Sequence, residues 1–471
     1  MTGKKNRKIN SPEIIGNRQQ KKHSIMFSVI LIVIPVFFFV ILEILLRIFN
    51  YGYDNSQWTE IAPGKLTLNS NIARRYFNNL ESLPESIHDV FDKDKKQNAF
   101  RIFILGESSA AGFPYMPIGS FSRYLQKRLE LNYPESKIEV VNTAMTAINS
   151  YTLLDIFPGI LEQKPDLVII YTGHNEYYGA LGIGSMESLG SSRFLIKTSL
   201  YLNRFKIYVL IKDLLKLAAG LISHSETQSG TLMSRMAKEQ SIYFRSDQYH
   251  SGIEQFRENL SEMLSLAKDK NIPVILSTLV SNLKDQQPFI SQGKDNLPGA
   301  KEVYSRAAAA LKSGDTKYAD SLFRYARDLD LLRFRAPGDI NKIIISLAEK
   351  YNYPVANIEE SFDALSPDNI TGDYLICDHL HPNLSGYKFM GRLFYELILK
   401  NGILPRENQA YTDSHTQDSL TLANFNFSKL DSVTAEYGLA ILKNDWPFTS
   451  SAAKKYIDEL LSPLIILIHL L

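Results

Sequence analysis

The chain has 471 residues, of which 45% are hydrophobic and 22% charged, and its formal net charge is +2. This length suits two or three domains, or one elaborated domain with a large core. The near-neutral charge gives no global electrostatic argument for nucleic-acid binding. The single cysteine, Cys377, excludes an internal disulfide framework.

An apolar run near the N-terminus predicts a membrane anchor. Residues 25–42 carry no charge, and after Glu43 the apolar residues 44–46 continue to Arg47. A helix needs about 20 apolar residues to cross a bilayer, whereas the core of a signal peptide has only about 7–15. Because no small-residue cleavage site follows the run, we expect an uncleaved anchor over residues 25–48. A buried helix of a soluble domain is the alternative.

The flanking charges predict the orientation of this anchor. Basic residues dominate the segment before it, where Glu13 is the only acidic residue; they are Lys4, Lys5, Arg7, Lys8, Arg18, Lys21 and Lys22. Acidic residues soon follow the anchor, at Asp54 and Glu60. By the positive-inside rule, residues 1–24 form a cytoplasmic basic tail, and the chain after the anchor lies outside the cytoplasmic membrane, in the periplasm. This topology accounts for the basic tail, so we predict no nucleic-acid partner.

Beyond a predicted linker with short helical pieces at residues 49–97, apolar runs alternate with helical patterns. The runs typical of buried strands are residues 99–105, 137–144, 166–173, 271–280 and 352–359. Helical patterns are found in residues 119–134, 149–163, 252–270, 338–350 and 384–400. This alternation predicts an α/β fold with a parallel sheet that helices cover on both faces. Ligands of such sheets bind beyond the carboxyl ends of the strands.

Two insertions and a C-terminal extension interrupt this pattern. Residues 180–250 are helical and aromatic-rich, which suits a cap over the site, a surface-lying helix or, more simply, an inserted packing element. Residues 299–330 have small residues on two helices around a Ser-Gly-Asp turn. They resemble one tetratricopeptide-type hairpin, which we interpret as a decoration and a possible protein-binding site. Residues 401–471 predict a helical extension, whose apolar end is too short to span a bilayer.

Two of the predicted strand ends carry residues suited to acyl chemistry. The first strand leads into GESSAAG, which places Ser108 at a tight strand-to-helix corner. Backbone N–H groups at such a corner can hold an oxyanion. Ser109 is an alternative nucleophile, and an ordinary loop of small residues is the simpler interpretation. The third strand leads into TGHNEYYG, where Asn175 either donates a side-chain N–H to an oxyanion or closes an Asx turn.

The stretch CDHLHPN, residues 377–383, contains the other groups that a hydrolytic serine requires. Such a serine needs a base within hydrogen-bond reach, and the base needs an orienting carboxylate. Asp378 and His381 are three residues apart, so the carboxylate can hold one imidazole nitrogen and leave the other for the serine. Asp378, His379 and His381 are also possible metal ligands, but paired-ligand spacings such as CxxC or HExxH are absent. We predict neither a metal nor a cofactor.

At these residues the chain resembles the GDSL or SGNH hydrolases, which are lipases and esterases. The family's Gly-Asp-Ser, Gly-x-Asn-Asp and Asp-x-x-His-Pro blocks correspond to residues 106–108, 173–176 and 378–382. The first two blocks depart from the family because Glu107 and Glu176 replace aspartates. The resemblance covers residues 98–180, 252–282 and 338–400 and implies a flavodoxin-like α/β/α sandwich. We therefore expect a hydrolase-like domain over residues 98–400 that carries both insertions.

The resemblance also implies roles for individual residues. Ser108 corresponds to the nucleophile, His381 to its general base and Asp378 to the residue that orients the base. The oxyanion donors correspond to the backbone N–H of Ser108, the side chain of Asn175 and a second-block glycine, which is replaced here by Ala147. His379 is then structural or faces the substrate.

The function that follows is a membrane-anchored serine esterase acting outside the cytoplasmic membrane. Its substrate is expected to be an acyl ester on a cell-envelope glycan or lipid. The same site would make the chain an O-acyltransferase in polysaccharide modification if another hydroxyl replaced water. A third possibility is a non-catalytic envelope scaffold that uses the helical hairpin to hold partners.

Overall fold

The computed structural model describes residues 12–77, 83–84, 86–190, 192–222, 233, 241–405 and 408–448. They divide into two compact units. The smaller unit comprises the described parts of Met1–Asp54 and Tyr201–Glu226, and the larger unit comprises those of Asn55–Leu200 and Thr227–Leu471.

The strands and helices of the described residues are numbered in chain order. The strands are β1 Trp58–Ala62, β2 Lys65–Leu68, β3 Phe91–Asp92, β4 Ala99–Gly106, β5 Lys137–Asn142, β6 Leu167–Tyr171, β7 Val274–Ser277 and β8 Val355–Ala356. The helices are α1 Pro12–Ile48, α2 Ser108–Ala111, α3 Phe121–Asn132, α4 Ser150–Leu161, α5 Arg193–Leu202, α6 Lys206–Ile222, α7 Asp247–Asp269, α8 Ala300–Lys312, α9 Thr316–Leu329, α10 Gly338–Tyr351, α11 Ile358–Leu365, α12 Leu384–Lys400, α13 Ser414–Ala423 and α14 Lys429–Lys443. Two short 3₁₀ helices cover Ile72–Arg75 and Pro367–Asn369.

The central sheet is parallel and has the order β5-β4-β6-β7-β8. All five strands predicted from the apolar runs are therefore confirmed. Numbered from β4, this is the order 2-1-3-4-5 of flavodoxin-like folds, which reverses between β4 and β6. The buried side chains of β4, β6 and β7 point alternately to both faces, so both faces of the sheet are covered. Helix α3 packs against α12, and α7 packs against both α4 and α10.

The prediction of a linker over residues 49–97 is wrong where β1, β2 and β3 form an antiparallel sheet. The physical reason is that its apolar side chains join the main core. The ring of Phe91 lies 5.1 Å from that of Trp58 and 5.5 Å from that of Phe103 on β4. The strands are only two to five residues long, which is too short for a periodic pattern to emerge from the sequence.

Buried Arg101 fastens this small sheet to the start of β4. Its guanidinium donates to a Glu139 carboxylate oxygen at 2.7 Å, to the carbonyl oxygen of Asp92 at 2.6 Å and to that of Gln163 at 2.8 Å. A buried charge is tolerated when it is paired and its remaining donors are hydrogen-bonded. The segment before β4 is thus an integral part of the larger unit.

Helices α8 and α9 form the predicted helical hairpin. The turn between them is Ser313–Gly314–Asp315, where Gly314 has a φ of 87° and Asp315 caps α9 by accepting from the Tyr318 N–H at 3.1 Å. The hairpin has an apolar cluster of its own, to which Val303 and Phe323 belong. Its tetratricopeptide character and its role as a partner site stay predictions.

The smaller unit contains the apolar helix. Phe27–Ile48 of α1 is 22 residues long, and within the described residues it is the single helix long and apolar enough to cross a membrane. Helix α6, from the predicted insertion 180–250, packs against α1 in this unit. Of the predicted C-terminal extension, α13 and α14 are observed, whereas its apolar end lies outside the described residues, as do residues 1–11 of the basic tail.

Candidate active site

A tight strand-to-helix corner presents Ser108. Strand β4 ends at Gly106, Glu107 is extended with a φ of −103°, and α2 begins at Ser108. A Cβ atom on Gly106 would lie 2.1 Å from the carbonyl oxygen of Tyr171 and 2.5 Å from the Cβ of Ala110. Real Cβ atoms do not approach other atoms so closely, so the corner requires glycine. The predicted corner is thus present, and it leaves Ser108 half-buried at the edge where the sheet order reverses.

The structure brings Ser108, His381 and Asp378 into one hydrogen-bonded chain. The Oγ of Ser108 lies 2.7 Å from Nε2 of His381, and Nδ1 of the same ring lies 2.6 Å from Oδ2 of Asp378. The backbone N–H groups of Leu380 and His381 both donate to Oδ1 of Asp378 at 2.8 Å. Both carboxylate oxygens of Asp378 therefore accept hydrogen bonds, and the loop backbone itself holds the carboxylate in position.

The charge on Asp378 fixes the tautomer of His381. Burial would raise the pKa of the Asp378 carboxyl, but the neighbouring imidazoles of His381 and His379 hold it well below its ordinary value. Asp378 is therefore a carboxylate that can only accept, so Nδ1 of His381 carries a proton. Nε2 of the neutral ring is then an acceptor for the Ser108 hydroxyl, which is the arrangement a general base needs.

His379 occupies a different environment from His381. Its Nδ1 lies 3.3 Å from Oδ1 of Asp378, but this approach does not meet hydrogen-bond geometry. Aromatic rings surround it: the ring centroids of Phe289, Phe334 and Phe448 lie 5.6, 6.1 and 5.3 Å away. Burial lowers the pKa of the His379 imidazole, although Asp378 opposes the shift. The two histidines of the loop are therefore not equivalent.

The alternative nucleophile and the metal interpretation fit this geometry less well. The hydroxyl of Ser109 is buried and has no hydrogen-bond partner among the described residues. Ligand atoms of Asp378, His379 and His381 do lie within 4.8 Å of one another. However, the oxygens of Asp378 and both ring nitrogens of His381 already take part in the chain that ends at Ser108.

Three groups are candidates for holding an oxyanion. Ser108, Ala147 and Asn175 follow β4, β5 and β6, which are neighbours in the sheet, so all three lie at one edge. Within the described residues, neither the backbone N–H of Ser108 and Ala147 nor the side-chain amide of Asn175 has a hydrogen-bond partner. Ala147 adopts the left-handed conformation with a φ of 61°. The family's usual glycine adopts this conformation without the cost that a Cβ brings.

A buried carboxylate, Glu107, joins the loop of Asn175 to the strand-to-helix corner that presents Ser108. It accepts from the hydroxyl of Thr172 at 2.7 Å, from the N–H of Gly173 at 2.9 Å and from the N–H of Asn175 at 3.0 Å. Burial raises the pKa of Glu107 to about 7, against the opposing effect of these donors. One side chain thereby fixes two of the candidate oxyanion donors relative to each other.

The second replaced aspartate, Glu176, ties the same loop to α4. Its carboxylate accepts from the Ser150 hydroxyl at 2.8 Å and the Ser150 N–H at 3.2 Å, and it also accepts from the Gln255 side chain. Burial raises the pKa of Glu176 to about 8. Since α4 begins three residues after Ala147, Glu176 links the third candidate donor to the other two.

Sequence reasoning did not identify these carboxylate clamps or the aromatic surroundings of the histidines. A glutamate after a strand resembles a solvent-exposed loop residue, and Gln255 lies 79 residues from Glu176 along the chain. The ring of Phe113 lies 4.7 Å from that of His381. The sequence signal for this contact is weak, since it consists only of the nearness of Phe113 to Ser108 along the chain.

Comparison with known proteins decides the family. Residues 104–389, more than half of the chain, match the model of the GDSL-like lipase/acylhydrolase family. The chain belongs to this family. The matched segment contains all the candidate residues described above, and the resemblance predicted from the three sequence blocks is confirmed. As a GDSL-family protein, the chain is a hydrolase that acts on ester bonds.

The chain also has distant similarity to solved structures. A lipase/acylhydrolase from Enterococcus faecalis is 14% identical, with a TM-score of 0.31 over 64% of this chain and 95% of that one. The acetylxylan esterase Axe2 from Geobacillus stearothermophilus is also 14% identical, with a TM-score of 0.33 over 64% of this chain and 94% of that one. These similarities are too distant to indicate the substrate of the GDSL-family chain. No curated protein matches the sequence.

Proposed function

We propose that this GDSL-family hydrolase is a serine esterase in which Ser108 is the nucleophile, His381 the general base and Asp378 the residue that orients it. The observation that supports this assignment is the continuous hydrogen-bonded chain from Asp378 through His381 to the Ser108 hydroxyl. A buried carboxylate, an imidazole of fixed tautomer and a half-exposed hydroxyl at a strand end are the parts that acyl transfer to serine requires.

The reaction proceeds in two halves. Ser108 Oγ attacks the ester carbonyl while its proton moves to Nε2 of His381, and the oxyanion accepts from Ser108, Ala147 and Asn175. The intermediate collapses to an acyl-serine, and the alcohol leaves with the proton from His381. Water then attacks the acyl group and gives a proton to His381, which returns that proton to Ser108 as the carboxylic acid departs.

The proposed substrate is an acyl ester on a cell-envelope glycan or lipid, and the proposed location is the outer side of the cytoplasmic membrane. Two features support this location. The apolar helix Phe27–Ile48 has the length of a membrane span, and the basic residues concentrate before it. Under the positive-inside rule this charge distribution supports the proposed location of the hydrolase domain outside the cytoplasm.

Replacement of the nucleophile tests the chemistry. We expect Ser108→Ala to abolish hydrolysis of a short activated ester and labelling by a serine-reactive phosphonate, while the circular dichroism spectrum stays unchanged. Ser109→Ala is the matched control, since Ser109 is the adjacent serine and its hydroxyl has no partner in the described structure. Absence of both ester cleavage and labelling in the wild-type protein would overturn the proposed function.

A cellular comparison tests the direction of the reaction. Cells that produce the wild-type chain should carry fewer ester-linked acyl groups on envelope glycan or lipid than cells that produce Ser108→Ala. A higher acyl content with the wild-type chain would instead identify the same site as an acyltransferase.

A further inference from the structure

The carboxylate that interrupts the apolar run has a structural role. Glu43 accepts from the backbone N–H groups of Lys206 at 3.0 Å and Ile207 at 2.9 Å, so it caps the first turn of α6. Arg47 donates to Glu43 at 2.7 Å and to the carbonyl oxygen of Arg204 at 3.0 Å. Free N–H groups at a helix N-terminus attract a carboxylate. The last two turns of α1 are thereby joined to the start of α6.

The segment after α1 holds one side of α6. The hydroxyl of Tyr51 donates to Asp213 at 3.0 Å, and the ammonium group of Lys206 donates to the carbonyl oxygen of Tyr53. Val209, on the same side of the helix, is buried. These contacts fix the rotation of α6 about its axis, because they occupy the face that carries Lys206, Val209 and Asp213.

The opposite side of α6 is apolar and exposed. Ile211, Leu214, Leu215 and Ala218 recur at the spacing of one helix face, and we name them the apolar stripe. The exposed fractions are 45% for Ile211, 55% for Leu214 and 64% for Leu215. Large apolar side chains clustered in this way on a soluble surface mark an interaction site.

We propose that the apolar stripe of α6 lies in the membrane interface, on the bilayer that α1 crosses. This inference rests on the proposed anchoring by α1. The bilayer is the expected partner of the stripe because the stripe continues the apolar surface of α1. The start of α6 is hydrogen-bonded to the last turns of α1, where the apolar residues Ile44 and Ile48 are exposed. Lys212 and Lys216 lie off the stripe, where the polar face of an interfacial helix meets lipid headgroups.

The aromatic residues before α6 support the same occupant. Tyr201 and Phe205 are both exposed, and their rings lie 5.8 Å apart. Tyrosine and other amphipathic aromatic residues concentrate at the depth of the headgroups. The end of α5 and the loop before α6, the stripe and the end of α1 therefore present apolar and aromatic groups within one compact unit.

Site-specific fluorescence in proteoliposomes tests this placement. Cys377→Ser in the full chain removes the single cysteine, and Leu215→Cys then carries an environment-sensitive dye. Lys216→Cys is the matched control from outside the stripe, and Val33→Cys, in the apolar run of α1, reports the anchor itself. Vesicles of phosphatidylcholine and phosphatidylglycerol contain brominated acyl chains as quencher.

We expect brominated lipid to quench the dye at Leu215 at least about twofold, and the dye at Lys216 much less. A water-exposed dye at Leu215 together with lipid quenching at Val33 would overturn the inference and leave the anchor intact. Absence of lipid quenching at both positions would overturn the anchoring as well. A dye at Leu215 that is shielded from water but not quenched by lipid would show that a protein covers the stripe, which also contradicts the proposal.

Discussion

Replacement of Asp378 by asparagine should invert the hydrogen bond on which the proposed mechanism depends. Oδ1 of Asp378 accepts from two backbone N–H groups at 2.8 Å, so the amide oxygen of Asp378→Asn will take that position. The amide nitrogen then replaces Oδ2, which lies 2.6 Å from Nδ1 of His381, and donates where the carboxylate accepted. Nδ1 must become an acceptor, and the ring proton moves to Nε2.

The size of the effect follows from this exchange of proton positions. Nε2 of His381 then donates to Ser108 instead of accepting, so general-base catalysis from the ground-state tautomer is lost while the fold and the oxyanion donors remain. We expect kcat to fall about 10⁴-fold, as for a wrong tautomer in serine hydrolases, with KM changed little. At about 1.36 kcal/mol per tenfold change, this is a loss of about 5.5 kcal/mol of transition-state stabilisation.

The assay is steady-state hydrolysis of a short p-nitrophenyl ester, with thermal unfolding as a check on folding. Asp373→Asn is the matched control, because Asp373 lies five residues earlier, is exposed, and its carboxylate accepts from the side chain of Asn282 at 2.7 Å. We expect its kcat to stay near that of the wild type. If a folded Asp378→Asn variant kept more than about a tenth of kcat, the tautomer argument would be refuted.

Four further substitutions probe the two histidines of the CDHLHPN stretch, the carboxylate of Glu107 and the backbone conformation of Ala147. His381→Ala should lower kcat by about 10⁴-fold or more, whereas His379→Ala should cost less than about tenfold, and equal losses in the same assay would contradict their separate roles. Glu107→Gln should alter the pH dependence of unfolding. Because its folded pKa of about 7 lies above the ordinary value of 4.5, wild-type stability from this group is full at low pH and is lost as pH rises through 7. The variant should therefore reduce the difference in unfolding free energy between pH 5 and pH 8 by about 2.5 kcal/mol in urea titrations, and an unchanged difference would argue against the raised pKa. Ala147→Gly should raise stability by roughly 1 kcal/mol in thermal unfolding and retain activity, since it removes a Cβ from the left-handed region; a loss of stability would contradict that account.

The central sheet could be predicted because its strands are continuous apolar runs that end at recognisable turns. Buried parallel strands are recognisable as apolar runs in a single sequence. The ends of two such runs predicted that Ser108 and Asn175 lie at the same edge of the sheet. The pairing of Asp378 with His381 could also be predicted, because the two residues are three positions apart in one loop and their contact does not depend on how distant segments pack.

What could not be predicted depends on contacts between distant segments. The strands β1–β3 gain their stability from packing on Phe103, not from their own pattern. Glu107 and Glu176 become interpretable only when Thr172 and Gln255 are beside them. The same holds for His379, whose neighbour Phe448 comes from the C-terminal extension.

The hydrogen bond between Ser108 and His381 joins residues 273 positions apart in the chain. Forming it requires β4, the sheet between β4 and β8, and the segment that leads into α12 to be in place together. Such non-local contacts form late in folding, because the entropy cost of closing a long loop must be met before the contacts that the loop brings together can stabilise the chain. Ester cleavage should therefore report cooperative unfolding of the whole hydrolase domain, with inactivation and loss of tertiary structure sharing one midpoint. Any nascent or proteolytic fragment that ends before residue 381 is expected to be inert.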